Sequence, residues 1–337
     1  MESLQGIVKA ICISEARGTQ KHPVTEARLL QDYGIAGDAH AGHWHRQVSL
    51  LSYDKVKEFN EKGAHVGHGA FGENLVVEGL DFANLPVGTT LTVGTATLRT
   101  TQIGKECHSH CAIYQKMGEC IMPTQGTFAE VLSSGTVHTG DVMEATLPAL
   151  DAPFRAAVIT LSDQGFQGLR KDESGPAAVQ MLEEQGYQVV ETLLLPDEPK
   201  RLEQQLIRLA DGRQVDLILT SGGTGFSLRD WTPEATLAVA DRNAPGIAEY
   251  MRLKSMEITP RGMLSRSVSV IRKKTLIVNL PGSPKAVREN LGFILPALDH
   301  GLGILRGSAK ECAATGDFVH VRGGTVNSNA AEAKKEG

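Results

Sequence analysis

Over the first 145 or so positions, apolar residues come in short runs broken by glycine: "GIVKAICIS", "QVSLLSY", "ENLVVEG" and "TTLTVGTATLRTT". Short runs rich in β-branched residues and closely spaced predict a β-rich domain built as a barrel. One stretch, "SYDKVKEFNEKG", has helical spacing instead and stops at Gly63. Around "EATLPALDAPFR" the periodicity is lost and two prolines intervene, which marks a boundary. The chain therefore divides into a domain over 1–148, a second over 154–312, and a small polar tail over 313–337 for which mobility is expected.

Beyond the boundary the pattern alternates. "RAAVITLS", "YQVVETLLL", "VDLILT" and "TLIVNL" read as strands, the first of them continuously apolar. Between them, "SGPAAVQMLEEQG" reads as a helix capped by Ser174 and stopped by Gly186, followed by helices at "PKRLEQQLIRLAD" and "PEATLAVAD". "SPKAVRENLGFILPALDHGLGIL" supplies the last regular pieces. Alternation with strands apolar throughout predicts a three-layer α/β domain with a mostly parallel sheet covered on both faces. "VIRKKT" is a local basic cluster that fits either a phosphate site or, more commonly for so short a run, a solvated strand end.

A chain of 337 residues fits two domains, and its 41% hydrophobic content is enough for ordinary cores. The formal charge of -5 gives no general attraction for nucleic acid. No run nears the ~20 apolar residues of a membrane span, and no secretory leader is evident. Five cysteines (Cys12, Cys107, Cys111, Cys120 and Cys312) without such a leader argue against a disulfide framework. A cytoplasmic enzyme is the expectation.

In open α/β sheets ligands collect beyond the carboxyl ends of the strands. Four loops fall at such ends: "TLSDQGFQGLRKDESGP", "LLLPDEPK", "LTSGGTGFSLRD" and "NLPGSPKA", and one shared site is expected there. "TSGGTG" lets backbone N–H groups converge on an anion, because glycine tolerates positive φ and close approach. It is neither a Walker A loop nor a dinucleotide fingerprint, and by itself it also fits a tight strand–helix connection. Thr232 and Pro233 already read as N-cap and N1 of the next helix, so Arg229 and Asp230 are left for phosphate oxygens and for Mg²⁺. Asp197 in "LPDEP" is the second candidate carboxylate; Asp197, Asp163 and Asp172 also fit a role as solvated turn residues.

Taken together, "ITLSDQG…KDESGP", "LPDEP", "TSGGTGFSLRDWTPEATLAVADRNAPGIAEYMR" and "LSRSVSVIRKKTLIVNLPGSPKAVREN" resemble the molybdopterin adenylyltransferase family over about residues 154–312. The resemblance implies an α/β fold, a homotrimer, and transfer of AMP from Mg-ATP to the terminal phosphate of molybdopterin with release of pyrophosphate. By motif it assigns Asp197 and Asp230 as catalytic and Mg²⁺-holding. It assigns pterin and phosphate contacts to Ser162, Asp163, Ser221, Gly222, Gly223, Thr224, Gly225, Arg229, Pro281, Gly282 and Ser283.

The first half concentrates its chemistry in "TTQIGKECHSHCAIYQKMGEC" and "GDAHAGHWHRQ". Cys107, His108, His110, Cys111 and Cys120 are ligand types that Zn²⁺ accepts, but C-x₃-C with interior histidines is no standard zinc spacing. His40, His43 and His45 fit either a metal site or hydrogen-bonding histidines, and Cys12 fits a core. "GIAGDAHAGHWHRQVSLLS", "FGENLVVEGLD", "LPVGTTLTVGTATLRTTQIGKECH" and "GTFAEVLSSGTVHTGD" resemble a MOSC domain. That implies a β-rich barrel binding molybdenum cofactor or its sulfurated forms, with Cys107 as the key cysteine; Cys111 and Cys120 are further candidates. Lys105 and His108 beside Cys107 would favour its thiolate.

Both resemblances converge on molybdenum cofactor maturation, with molybdenum-insertion machinery or acceptor molybdoenzymes as partners. Two other readings stay open: a carrier that holds the pterin without transferring AMP, and sulfur transfer by the MOSC cysteine as the main activity.

Overall fold

The computed structural model describes residues 4–105 and 112–308. Cys107, His108, His110, Cys111, Cys312 and the 313–337 tail lie outside the described residues.

The first half supplies strands β1 (Leu4–Ile13), β2 (His22–Val24), β3 (Glu26–Leu30), β4 (Gly34–Ile35), β5 (Val48–Ser52), β6 (Leu75–Glu78), β7 (Thr90–Val93), β8 (Ala96–Ile103), β9 (Thr127–Ser133), β10 (Gly135–His138) and β11 (Val142–Thr146). Their pairing runs β11-β7-β8-β9-β5-β6-β1, and β1 returns to β11, so seven strands close a barrel with no free edge. Inward residues such as Leu50, Leu75, Leu91, Leu98 and Met143 fill it, with Phe82 among them. Helix α1 (Tyr53–Glu61) lies where the helical spacing predicts it and buries Val56 and Phe59 in a satellite cluster. Helices α2 (Ala112–Met117) and α3 (Met122–Gln125) are short.

The second half forms β12 (Arg155–Leu161), α4 (Asp163–Phe166), α5 (Ser174–Glu184), β13 (Gln188–Leu195), α6 (Pro199–Ile207), β14 (Leu217–Ser221), α7 (Thr232–Ala238), β15 (Arg242–Asn243), α8 (Pro245–Ile258), β16 (Ser269–Arg272), β17 (Thr275–Leu280) and α9 (Pro284–Arg306). The sheet order is β13-β12-β14-β17-β16-β15; the first four strands are parallel, and β16 and β15 run antiparallel at one edge. Consecutive strand residues go to opposite layers. Val158, Leu219 and Val278 pack with α5, α8 and α9, whereas Ile159, Ile218 and Ile277 pack with α6 and α7. Two covered faces are why these strands read as apolar runs rather than as alternation.

Three local readings change. "VIRKKT" is a tight hairpin between β16 and β17, with Lys273 at φ +50, so the basic residues mark a turn. Helix α5 is not capped by Ser174: Asp172 Oδ1 accepts from the N–H groups of Ser174 and Gly175, both at 3.0 Å. Thr232 is not the cap of α7 either. Trp231 holds that position, and Thr232 is buried inside the first turn, where its N–H reaches Gly223 O at 3.2 Å.

The last helix ties the linker down. The Arg306 guanidinium pairs with Asp216 at 2.7 Å, donates to the carbonyls of Leu150, Ala152 and Pro153, and stacks on Phe154. The barrel meets the second domain at its strand starts, where the Val87 N–H donates to Gln214 Oε1 at 3.0 Å.

Candidate functional site

All four strand-end loops arrive at one edge because β12, β13, β14 and β17 are neighbours and parallel. The core of the site is a reciprocal pair. The Asp163 N–H donates to Asp197 Oδ2 and the Asp197 N–H donates to Asp163 Oδ1, each at 3.0 Å. Each loop therefore uses its carboxylate to satisfy the backbone of the other. Ser162 adds a bond from its N–H to Leu195 O and caps α4 through Oγ, which accepts from Gly165 N–H at 3.0 Å.

Arg229 reaches across from the third loop. Its Nε and Nη2 grip both Asp163 oxygens at 2.9 and 2.8 Å, a bidentate geometry. The arginine expected to face phosphate is thus held by a carboxylate here, although it stays more than half exposed. That hydrogen bond is the main reason the Asp163 carboxyl is held below its usual range, with the Asp197 N–H next. Asp197 moves the other way: burial pushes its carboxyl up, and the charges of Asp163 and Asp230 add to this.

The glycine loop is built by close approach. At Gly222 (φ +105) any Cβ would strike the Leu161 carbonyl, and at Gly223 (φ +63) it would strike Thr232 Oγ1. Gly222 N–H is already committed to Leu280 O at 3.3 Å. Among the described residues, the N–H groups of Gly223, Thr224 and Gly225 find no backbone or side-chain acceptor, and they form the run that an anion can use. Two carboxylates flank this run: Asp197 Oδ1 is 3.5 Å from a Cβ built on Gly223, and Asp230 Oδ2 is 2.9 Å from one built on Gly225.

Asp230 is also tied to its own loop, since Oδ2 accepts from Ser227 N–H at 2.9 Å. Ser221 Oγ donates to Pro281 O at 3.0 Å, and Gly282 packs on Gly222, so the fourth loop is fastened to the third. Ser283 caps α9, accepting from Ala286 N–H at 3.2 Å. The residues assigned by motif in this half therefore converge.

Arg266, in "LSRSVSV", carries no role in the sequence reading. Its N–H donates to Thr224 O at 2.9 Å and its Nε to Gly225 O at 2.7 Å, while the guanidinium also holds Asp230 O and Glu234. One residue thus latches both arms of the loop. An arginine far along the chain gives no local signal of such a role. The loop's own apolar residues, Phe226 and Leu228, are 71% and 95% exposed and form a rim beside the site.

The donor set fits Mg²⁺. Two carboxylates beside unpaired backbone N–H groups match a hard cation that takes one or two carboxylates and completes its shell with phosphate and water. Among the described residues no cluster of three or more His, Cys, Asp or Glu forms an all-protein metal cage.

In the barrel, His40, His43 and His45 part company. His43 Nδ1 lies 3.2 Å from Asp32, His45 Nε2 pairs with Gln102 Oε1 at 3.0 Å, and His40 sits 4.0 Å from Asp38. Burial, then Arg213, lowers the His45 pKa to about 4, so its ring is neutral at pH 7. Cys12 is fully buried near Glu73 and Lys21, and burial pushes its thiol up to about 12. Cys120 is half-buried and packs against the cluster around Phe59 and Met122. Cys107 lies outside the described residues.

An α/β domain with a glycine-rich anion loop flanked by two carboxylates, joined to a closed barrel, defines the class: a phosphate-handling protein with a barrel appended. Residues 157–300 match the family described as "Probable molybdopterin binding domain", and residues 37–144 match "MOSC domain". The molybdopterin adenylyltransferase of Haemophilus influenzae is 44% identical over 144 residues, which is 42% of this chain and 73% of that protein. Gephyrin of Dictyostelium discoideum is 43% identical over 164 residues, 46% of this chain, and this chain spans only 23% of gephyrin's length. The crystal structure of the molybdopterin biosynthesis enzyme MoaB from Thermus thermophilus is 47% identical and covers 46% of this chain and 97% of its own, with a TM-score of 0.44. Through its second half the chain belongs to the molybdopterin adenylyltransferase family, and a MOSC domain precedes that half.

Proposed function

We propose that the second domain adenylylates molybdopterin. The terminal phosphate oxygen of molybdopterin attacks the α-phosphorus of ATP; the new P–O bond forms as the bond to pyrophosphate breaks, giving adenylyl-molybdopterin and pyrophosphate. The observation that carries this reading is the run of unpaired N–H groups from Gly223 to Gly225 between Asp197 and Asp230.

The loop N–H groups bind and orient phosphate oxygens, and the Asp163–Arg229 pair fixes the neighbouring loop. Ser221, Pro281, Gly282 and Ser283 form the opposite wall and offer contacts to the pterin. Asp197 and Asp230 would hold Mg²⁺, which supplies neutralisation of the leaving pyrophosphate when bound. A phosphate nucleophile is already ionised near pH 7, so no strong general base is needed.

The MOSC barrel is read as a binder of molybdenum cofactor or a carrier of its sulfur, with Cys107 as the working thiol. The homotrimer, a cytoplasmic location and hand-over to insertion machinery or acceptor molybdoenzymes belong to the same proposal. The barrel meets the strand starts of the second domain, and the glycine loop sits at the strand ends, about 20 Å away along β12.

The test is turnover of α-labelled ATP with molybdopterin and Mg²⁺. Label on the pterin, lost in Asp230→Asn, supports transfer; tight pterin binding without label in the unaltered protein makes the domain a carrier.

A further inference from the structure

A cavity of about 1080 Å³ lies between the two domains, remote from the glycine loop. Its walls come from both halves. Trp44, Pro86 and Val87 belong to the barrel, Leu147, Pro148 and Leu150 to the linker, and Arg155, Arg213 and Lys274 to the strand starts of the second domain. Its volume is at the upper end of small-molecule sites, which run to roughly 1,000 Å³.

The charges around it do not balance. Arg99 is paired with Glu130 at 2.7 Å, Arg306 with Asp216 at 2.7 Å, and Lys273 with Asp211 at 3.5 Å. Among the described residues, neither Arg155 nor Lys274 has an ion pair. Arg155 instead donates to the Arg213 carbonyl at 2.9 Å, which sets the two arginines side by side. Arg213 is 3% exposed; its Nε is 3.5 Å from Glu191, and its Nε and Nη1 lack a hydrogen-bond acceptor. Glu191 is shared, because Arg208 also holds it.

The imbalance shows in the titration of the group. Burial, then the charge of Arg213, lowers Arg155 to about 10, and burial followed by Arg208 and Arg46 lowers Arg213 despite Glu191. A buried guanidinium that shares its carboxylate, beside a half-buried one that has none, is costly, and the field of a bound anion would relieve that cost. The apolar linker wall faces this cationic floor, so the cavity suits a ligand with one anionic end and one flat or apolar end.

We propose that the interdomain cleft binds a phosphate-bearing small molecule of nucleotide size, with its phosphates over Arg155 and Lys274, in the field of the buried Arg213 behind them, and its ring against the linker wall. This site is separate from the transfer site and stands or falls without it.

The two tryptophans separate the sites. Trp44 lines the cleft and Trp231 belongs to the glycine loop, and the chain has no other. In Trp231→Phe, emission reports Trp44 alone; in Trp44→Phe it reports Trp231 alone. ADP is titrated into the full chain carrying Trp231→Phe, with adenosine as the uncharged comparison. The expected result is a saturable change of Trp44 emission with ADP and none with adenosine. Half-saturation should move to about tenfold higher ADP in Lys274→Glu and in Arg155→Gln. Lys274 is exposed, so its variant keeps the fold even where loss of the half-buried Arg155 does not. No saturable response, an equal response to adenosine, or unchanged half-saturation in Lys274→Glu overturns the proposal, whatever the Trp231 signal shows.

Discussion

Asp163 and Asp197 each accept a hydrogen bond from the other's backbone N–H, at 3.0 Å in both directions. The exchange joins the loops after β12 and β13, and Arg229 adds the third loop by gripping Asp163. Asp163→Ala removes the acceptor of the Asp197 N–H and of Arg229 at once. It should lower stability by about 1–3 kcal/mol, since the half-buried Asp197 donor is left unsatisfied, and reduce kcat/KM at least about tenfold through misplacement of Asp197. Asp163→Asn keeps a carbonyl acceptor and should lose less. Thermal unfolding and steady-state kinetics on the pair of variants check this.

The two carboxylates titrate in opposite senses. Asp163 is depressed by Arg229, so its stabilising contribution is present above the unfolded carboxylate pKa and lost as pH falls through its lower folded value. Asp197 is raised by burial, so its protonation favours the folded state while removing a charge that the proposed Mg²⁺ site would use. Activity should therefore fall on the acid side at a pH above the ordinary aspartate range while the protein is still folded. Raising Mg²⁺ should move that limb to lower pH. A pH–rate profile at two Mg²⁺ concentrations, read against pH-dependent unfolding, measures both effects.

Glycines in the loop should not be equivalent. Gly222→Ala drives a Cβ into the Leu161 backbone at positive φ, with a cost on the order of 1–3 kcal/mol. At Gly225 the φ is not positive and the nearest atom is the Asp230 carboxylate, 2.9 Å away. Gly225→Ala should keep most of the stability and weaken Mg²⁺ dependence by displacing Asp230. Mg²⁺ titrations of turnover beside unfolding midpoints separate these outcomes.

Arg266 predicts a positioning effect. Arg266→Ala releases the carbonyls of Gly225 and Asp230 together, and kcat should fall by about 10²-fold with little change in the unfolding midpoint. Arg266→Lys, with a single donor point, should recover part of it. A variant that loses stability and activity in proportion would make Arg266 a structural residue only.

Cys12 should be silent. Its buried thiol, raised to about 12, leaves almost no thiolate at about pH 8, so thiol reagents should modify it only after unfolding. Cys12→Ser should leave adenylyl transfer unchanged. Peptide mapping of labelled cysteines before and after denaturation gives the answer directly.

Much of this was legible in the chain. Apolar runs such as "VDLILT" carry the two-sided burial of β14, and short glycine-broken runs carry the barrel strands, because periodicity reports local burial. The glycines at 222 and 223 were readable because only backbone freedom explains them. What a carboxylate pairs with was not readable. Asp163, Asp197 and Arg229 stand far apart along the chain, and only the parallel order of β13, β12 and β14 brings them together.

The sequence by itself determined two domains, their fold classes and the four strand-end loops that share one edge, since all three follow from local composition and spacing. Tertiary structure alone decided that Arg229 answers to Asp163, that Arg266 latches the glycine loop, and that the barrel docks at the strand starts opposite the site. Those are contacts between distant segments, fixed by which strands lie side by side, and no local pattern encodes that order.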